Sequence, residues 1–333
     1  MHPHTSAQTS RREALTLVAG LAAGMASAGT ARAQGAWPDR PIRLIVPFPA
    51  GGTVDQVARV VADELGKSLH QPLVVDNRSG AGGNLGTDIA AKSPADGYTL
   101  LVSSVAPNAI NASLYEKVPY APGDFTHISQ LISGPNVLVA HPSLPARTFK
   151  EFVAYAKARP GQLSYASSGA GSSGNLAMEL LKQQAGLAIV HIPYRGGSLA
   201  LNDVLANQVP VMFINQDVVL PHVKAGKLKA LAVTTAQRNG LYPEVPTIAE
   251  SGFPSFVATS WVGLSAPRGL PAAIVDRLHT EVARAFTSPQ VKSRLEASGF
   301  VVVASDPRQY TGFVAAESAR WAQVIKTAGI KAD

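Results

Sequence analysis

The sequence contains no cysteine, and this absence excludes three features. The protein forms no disulfide, uses no thiolate as a nucleophile and is not anchored as a lipoprotein, because that attachment requires a cysteine after the leader. A cysteine-free chain is compatible with an oxidising or a reducing compartment. The compartment must therefore be inferred from other parts of the sequence.

Basic runs and internal low-complexity segments are also missing. The lysines and arginines are scattered, and none of them forms a run interleaved with aromatic residues. The formal net charge of +7 is compatible with an ordinary solvated surface or with a field that favours anionic ligands. We therefore expect no nucleic-acid partner.

The sequence has no cluster typical of a catalytic or metal site. The histidines at positions 70, 127, 141, 191, 222 and 279 lack metal-ligand spacing. Five aspartates lie near helix starts or in turns, where capping explains them without catalysis: Asp55, Asp76, Asp88, Asp96 and Asp203. We expect no metal, no cofactor and no enzymatic activity.

Residues 1–33 have the pattern of a signal peptide. Ser10-Arg11-Arg12 is a basic start, residues 14–28 are apolar and small, and Ala31-Arg32-Ala33 is an A-x-A cleavage site. A transmembrane helix is the weaker alternative, because the run contains several glycines and is short for a bilayer. The paired arginines fit a twin-arginine signal, although the Sec route stays open. We expect cleavage near Ala33 and a periplasmic protein.

The remaining chain is predicted to be an α/β protein. The whole sequence of 333 residues corresponds to one large or two medium domains. Strand and helix patterns alternate over residues 42–103 and again over 136–234, which implies parallel sheets with right-handed crossovers. A strand over 259–265 then returns to the first block, and three helices follow. Two α/β lobes joined by crossing strands leave a cleft, where small ligands bind.

The junction between the first strand, Ile42 to Val46, and the first helix is well defined. Thr53 is placed to be the N-cap of the helix, with Gln56 completing a capping box. Two further glycine-rich junctions occupy residues 79–83 and 169–174. Each junction is predicted to direct backbone N–H groups to the carboxyl edge of a sheet, an arrangement that binds anions.

One of these junctions keeps an enzymatic alternative open. Gly169-Ala170-Gly171-Ser172-Ser173-Gly174 follows a predicted strand and opens a helix, as the dinucleotide fingerprint does. The acidic residue expected about 20 residues later is missing, which argues against a nucleotide-dependent oxidoreductase. A hydrolase using Ser172 lacks the last glycine of G-x-S-x-G and a partnered histidine.

Several motifs occur in order along the chain. They are PIRLIVPFPAGG at 41–52, DNRSGAGG at 76–83, DGYTLL at 96–101, HIPYRG at 191–196, KAGKL at 224–228 and VPT at 245–247. Together, from about residue 37 to 331, they resemble the Bug family of periplasmic solute-binding proteins, which includes the TctC-type receptors of tripartite tricarboxylate transporters.

The resemblance implies a two-lobed periplasmic-binding-protein fold, with residues 37–136 and 258–333 in one lobe and residues 137–257 in the other. Each lobe would hold a mostly parallel sheet flanked by helices, with the ligand cleft between the lobes. We expect a monomer that binds a small organic carboxylate and delivers it to the membrane permease subunits of a tripartite tricarboxylate transporter. A sensory receptor with the same fold is the alternative.

The resemblance also implies which residues bind the ligand. From the loop after the first strand they are Phe48, Pro49, Ala50, Gly51 and Gly52. From the opposing lobe they are Ser167, Ser168, Gly169, Gly171, Ser172 and Asn175. Additional cleft donors are Ser103, Ser104 and Asn108. Asn175 stands where relatives often have a histidine, and Ile214 stands where many have an acid, which favours a plain organic acid over an amino acid.

Three more residues have two interpretations. Arg195 could pair bidentately with a distal carboxylate, while Tyr194 lines the cleft. Alternatively, Arg195 is a rim residue and Tyr194 a packing aromatic. Trp261, on the returning strand, is either a hinge-packing residue or part of the cleft wall.

Overall fold

The computed structural model describes residues 37–331. From Arg40 onward the chain forms one compact unit. The predicted signal peptide, residues 1–33, lies outside the described residues. Within the described part of the chain, no helix combines the length and apolarity needed to span a bilayer.

The strands alternate with helices as the hydrophobic pattern predicts. The strands are β1 Ile42–Val46, β2 Leu73–Asn77, β3 Thr99–Ser104, β4 Phe125–Ala140, β5 Leu163–Ser167, β6 Ile189–Pro193, β7 Val211–Asn215, β8 Lys229–Val233, β9 Thr259–Pro267 and β10 Val301–Val302. The helices are α1 Thr53–Leu69, α2 Asn84–Ala91, α3 Asn111–Leu114, α4 Phe149–Lys157, α5 Ser173–Ala185, α6 Gly197–Leu205, α7 Gln216–Lys224, α8 Ala272–Thr287, α9 Pro289–Ala297 and α10 Pro307–Ala328. Short 3₁₀ turns occupy Ala81–Gly83 and Pro122–Asp124, and a π-helical turn at Ala106–Ile110 leads into α3.

The strands form one continuous sheet in the order β2-β1-β3-β9-β4-β7-β5-β6, with β8 and β10 also paired to β4. β1 is parallel to β2 and β3, and β5 is parallel to β6 and β7, as expected for strand-helix-strand units. β4 and β9 run antiparallel to their neighbours. The crossing strands therefore add an antiparallel centre to the two parallel groups.

The long strand β4 divides the sheet into two parts. Residues Phe125 to Pro135 pair with β9, whereas Asn136 to Ala140 pair with β7 and β8. We call the part built on β1, β2, β3, β9 and the first half of β4 the first lobe, and the part built on β5 to β8 and the second half of β4 the second lobe. The boundary numbers given by the sequence remain a prediction.

The unit β1–α1 positions the first loop of the cleft. The residues that it buries on the sheet and on one face of the helix are Ile42, Leu44, Ile45, Val46, Val57, Val61 and Leu65. The helical members recur at the spacing of an amphipathic helix. Their burial fixes the axis of α1, and its N-terminus is thereby held at the carboxyl end of β1.

The predicted capping box at this N-terminus is wrong. Gly52 is the N-cap residue, and no side chain caps the helix. The Thr53 hydroxyl is bonded instead to Asn215, at the end of β7, and to Asp217, in the first turn of α7. Gln56 Nε2 donates to the Gly51 carbonyl at 3.5 Å. A long-range partner has therefore replaced the local cap that the spacing favours.

Candidate functional site

A cavity of about 190 Å³ lies where four helices begin. The lining residues at the helix starts are Gly52, Thr53 and Val54 of α1, Ser172 and Ser173 of α5, Gly196, Gly197, Ser198 and Leu199 of α6, and Asn215 and Val218 of α7. The first N–H groups of a helix have no acceptor within the helix, and the helix dipole makes this end positive. Four such ends around one cavity favour an anionic ligand.

Apart from Arg195, the rest of the wall is apolar or hydroxylic. It consists of Phe48, Pro49, Ala50, Ser104, Val105, Ala106, Ser168, Arg195, Ile214 and Ser260. Among the described residues that line the cavity, Arg195 is the one charged side chain, and none is acidic. Within residues 37–331, no group of three His, Asp or Glu side chains is placed to hold a metal ion.

The first loop of the site is held by two polar side chains behind it. Asn77 Nδ2 donates to the Phe48 carbonyl and to Asp55 Oδ1, both at 3.0 Å. Asp55 also accepts the Gly51 N–H at 3.0 Å, so this N–H is engaged within the protein. Burial raises the pKa of Asp55, but hydrogen bonds from Arg59, Gly51 and Asn77 outweigh it and lower the pKa below its ordinary value. The loop is therefore fixed by a carboxylate that is ionised at neutral pH.

The opposing loop, between β5 and α5, is held in the same manner. Ser167 Oγ accepts the Gly169 N–H at 3.1 Å and lies 2.7 Å from His191 Nε2. Asn175 Oδ1 accepts the Gly171 N–H at 2.9 Å. Gly171 has φ +77°, and a Cβ there would lie 2.5 Å from Leu114 Cδ2. The positive φ and the close approach to α3 both favour glycine at this position.

Ser104 offers an unused hydroxyl to the cavity. Its side chain lines the wall and is buried, and its N–H donates to Asn108 Oδ1 at 3.0 Å. Within the described chain, neither Ser104 Oγ nor Asn108 Nδ2 has a hydrogen-bond partner. Buried polar atoms without partners are uncommon. A polar ligand in the cavity would give the Ser104 hydroxyl a partner.

A polar bridge crosses the cleft beside the cavity. Thr53 Oγ1 lies 3.0 Å from both carboxylate oxygens of Asp217 and accepts from Asn215 Nδ2 at 2.8 Å. Burial, the largest effect, raises the pKa of Asp217 to about 6, although hydrogen bonds from Thr53 and the backbone at the start of α7 oppose it. Thr53 and Asn215 line the cavity, and Asp217 lies behind them.

The structure brings half of the sequence-predicted residues to the cavity wall. Those that line it are Phe48, Pro49, Ala50, Gly52, Ser104, Ser168, Ser172 and Arg195. Those that lie outside the lining are Gly51, Ser103, Asn108, Ser167, Gly169, Gly171, Asn175 and Tyr194. Ser103, for example, is fully buried and bonded to Ser265 and Tyr310. The junction at 79–83 does not line the cavity either.

The structure distinguishes between the two interpretations given to Arg195, Tyr194 and Trp261. Arg195 is exposed and lies at the cavity wall. Tyr194 Oη donates to Asp203 at 2.6 Å, and burial together with this carboxylate raises its pKa to about 12. Trp261 is 1% exposed, packs against Tyr310 and Phe313 and donates to Glu317. These contacts support the packing interpretation of Tyr194 and Trp261.

The starts of α6 and α7 are the part of the wall that sequence reasoning missed. Gly196 ends the motif HIPYRG and Gly197 follows it, and Asn215 is the polar residue that ends the apolar strand β7. Each is therefore a polar or glycine residue at the carboxyl end of a strand, which is the signal that could have found them. Ser172 Oγ accepts the Asn175 N–H as an N-cap, so capping accounts for this serine without a nucleophilic role.

Comparison with known families agrees with this geometry. The model of the Tripartite tricarboxylate transporter family receptor, TctC, matches residues 57–330. The chain belongs to this receptor family. The resemblance carried by the ordered motifs is therefore confirmed.

Individual TctC-type relatives cover nearly the whole chain. BugT of Bordetella pertussis is 42% identical over 311 residues, which are 92% of this chain and 95% of BugT. The structure of R. palustris Rpa4515 with adipate is similar with a TM-score of 0.86 at 38% identity, covering 89% of this chain and 100% of that one. MatC (Rpa3494) from Rhodopseudomonas palustris with bound malate has a TM-score of 0.82 at 32% identity, covering 87% and 100%. The predicted two-lobed periplasmic-binding-protein fold is thereby confirmed.

Proposed function

We propose that this protein is a periplasmic receptor that binds a small organic carboxylate in the cleft. It delivers the ligand unchanged to the membrane permease subunits of a tripartite tricarboxylate transporter. The observation that carries the proposal is the convergence of four helix N-termini on a cavity whose lining contains Arg195 and no acid. Membership of the TctC family supports the role in transport.

The wall supplies binding groups without catalytic ones. Helix N–H groups, serine hydroxyls and Arg195 can replace the water around a carboxylate. Ser104 Oγ is buried and has no partner within residues 37–331, so it adds a donor at no cost to existing bonds. None of these groups is an acid–base pair that could turn the ligand over. We therefore expect the ligand to be bound and released without chemical change.

The residues that line the wall favour a dicarboxylate. Arg195 is exposed at the wall, whereas Ser104 is buried within it. Apolar residues such as Val105 and Ile214 supply the rest of the lining and suit a methylene chain. The similar structures with adipate and malate support this class of ligand. One carboxylate would bind the helix ends and hydroxyls, and the other would pair with Arg195.

The direct test is a binding screen. Purified protein is heated with mono-, di- and tricarboxylates, aromatic acids and amino acids, and positive compounds are titrated by calorimetry. We expect dicarboxylates to raise the unfolding temperature, because a ligand that binds only the folded state stabilises it. After prolonged incubation, NMR should recover the ligand unchanged. Steady consumption of the ligand would contradict the receptor role.

A matched pair of glycine variants tests the location of the site. Gly52 lines the cavity, has no positive φ, and a Cβ there meets no atom within 4 Å. Gly52→Leu should therefore fold normally and abolish the thermal shift by filling the cleft. Gly240 is exposed, has equally open surroundings and does not line the cavity, so Gly240→Leu is the control. An unchanged shift in Gly52→Leu would place the ligand elsewhere.

A further inference from the structure

Direct contacts join the two lobes around the cavity. Gly196 of the second lobe faces Pro49 of the first, and a Cβ at Gly196 would lie 3.3 Å from Pro49 Cγ. Gly171, in the loop before α5, lies against Leu114 of α3, the helix that connects β3 to β4. These two contacts are close approaches of glycine to a side chain, which any closed cleft could form. The bridge from Thr53 to Asn215 and Asp217 is different, because it is polar and specific in geometry.

The Thr53 hydroxyl is used in this bridge as both donor and acceptor. The residue is buried and is the first residue of α1, one position after the N-cap Gly52. Its hydroxyl donates to the Asp217 carboxylate and accepts from Asn215. The bridge therefore joins the two lobes, since Thr53 follows β1, whereas Asn215 is the last residue of β7 and Asp217 lies in the first turn of α7.

We propose that Thr53, Asn215 and Asp217 form an interlobe latch that stabilises the closed cleft and thereby raises the affinity for the bound carboxylate. Asp217 does not line the cavity and acts as a positioning residue through the Thr53 hydroxyl. The affinity part of this inference rests on the proposed function. The latch itself is measurable without any ligand.

The size of the effect follows from linkage between closure and binding. A hydrogen bond to a charged group typically changes an equilibrium by about tenfold or somewhat more. Apparent affinity scales with the fraction of protein in the binding-competent state. Loss of the latch should therefore shift the ligand-free protein towards the open form and weaken binding by about tenfold.

Electron–electron distance measurements on the ligand-free protein test the latch directly. The chain has no native cysteine, so spin labels attach only at introduced sites, here Ala154→Cys on α4 and Ala273→Cys on α8, both exposed. We expect Thr53→Val and Asp217→Ala to move the distance distribution away from that of the closed protein. Asp217→Asn keeps an oxygen acceptor for Thr53 and should retain the parent distribution.

Controls separate the latch from a general loss of structure. Thr280→Val removes a hydroxyl that is bonded only within its own exposed helix turn and should leave the distances unchanged. Unfolding temperatures show whether each variant is folded, and the two disruptive variants act on opposite sides of the bridge. If both folded variants give the parent distribution, the latch does not exist.

Adipate titrations measure the effect on binding. The dissociation constant should rise about tenfold in Thr53→Val and Asp217→Ala and stay near the parent value in Asp217→Asn. Because Asp217 is outside the cavity lining, its effect cannot come from a lost wall contact. Unchanged affinity in Asp217→Ala would overturn the coupling. Failure of the parent protein to bind adipate would count against the proposed dicarboxylate ligand, while the distance measurement would still decide the latch.

Discussion

Asp217 is an acid that the fold desolvates without an opposite charge to compensate. No ion pair to it is found among residues 37–331, and its acceptors are filled by Thr53 and by backbone N–H groups. A hydroxyl donor stabilises a carboxylate less than a cation does. Burial therefore prevails and raises its pKa from 3.8 to about 6. Asp217 is well placed to accept a hydrogen bond from Thr53, but its ionised form lowers the free energy of unfolding of the protein.

The variant Asp217→Asn should expose this cost as a function of pH. Below about pH 4 the acid is protonated in the folded and unfolded states, so the two proteins differ little. Between about pH 4 and 6 the folded protein retains the proton longer, and its free energy of unfolding falls as pH rises. Above pH 6 the variant should be more stable by roughly 1–2 kcal/mol. Urea unfolding at pH 4, 5, 6 and 7.5 measures the difference, and a pH-independent difference would contradict the argument.

His127 titrates in the same interval with the opposite sign. Burial lowers its pKa to about 4, so the unfolded state binds the proton first as pH falls below about 6.5. Stability contributed by the neutral imidazole is therefore lost as pH falls through this window. The effect is common to the parent and to Asp217→Asn, and it cancels when their free energies of unfolding are subtracted. The comparison must accordingly be made between proteins at each pH.

At the scale of elements, α5 reaches the cavity because a glycine lets it approach the sheet. A Cβ at Gly174 would lie 2.2 Å from the Phe213 carbonyl oxygen of β7. This neighbour is backbone, so it cannot rotate away. The close contact between α5 and β7 places Ser172 and Ser173 at the wall. The position of the helix thus depends on the absence of a single methyl group.

Gly174→Ala should therefore destabilise the protein by about 1–3 kcal/mol or more, through overpacking. The control is Gly312→Ala in the interior of α10, where the glycine is exposed and a Cβ meets no atom within 4 Å. That variant should be more stable by about 0.5–1 kcal/mol, because alanine is the better helix former. Denaturant unfolding of both variants checks the prediction. Equal effects would show that α5 does not need the glycine.

The elements also show which parts of the fold the sequence could predict. β1 and the amphipathic helices follow from local periodicity, and the structure confirms them. The first half of β4 was missed, because Ser129, Gln130 and Pro135 interrupt the apolar pattern. In the fold, Ser129 Oγ donates to the Ser305 carbonyl, and the Gln130 N–H donates to Ser305 Oγ. Ser305, far along the chain, satisfies these polar groups within the strand. Local sequence does not contain that information.

The candidate site likewise contains a part that local sequence predicts and a part that depends on tertiary structure. The loops after β1 and β5 could be predicted, since a glycine-rich turn between a strand and a helix is a local signal. The contributions of α6 and α7 depend on β7 lying between β4 and β5, which is a property of the sheet order. The capping role expected for Thr53 failed for a related reason, because its partner Asp217 lies across the cleft. Local patterns predict the components of the site, and tertiary structure decides how they meet.

At the scale of the whole molecule, one strand, β4, belongs to the structure of both lobes. β4 pairs with β9 through Pro135 and with β7 from Asn136 onward. If the sheet of either lobe unfolds, β4 therefore loses the hydrogen-bond partners of one of its halves. Cleft closure must bend β4 near the point where its partners change. The same connection makes the lobes dependent on each other for stability.

We expect this dependence to give one cooperative unfolding transition in the ligand-free protein. In scanning calorimetry the calorimetric and van't Hoff enthalpies should agree, which is the criterion for two-state behaviour. Gly174→Ala sharpens the test, because it weakens the second lobe alone. If β4 couples the lobes, the variant shifts the single peak to lower temperature. A separate early peak, with the remainder unfolding at the parent temperature, would show that each lobe is stable by itself and that β4 serves as a flexible connection.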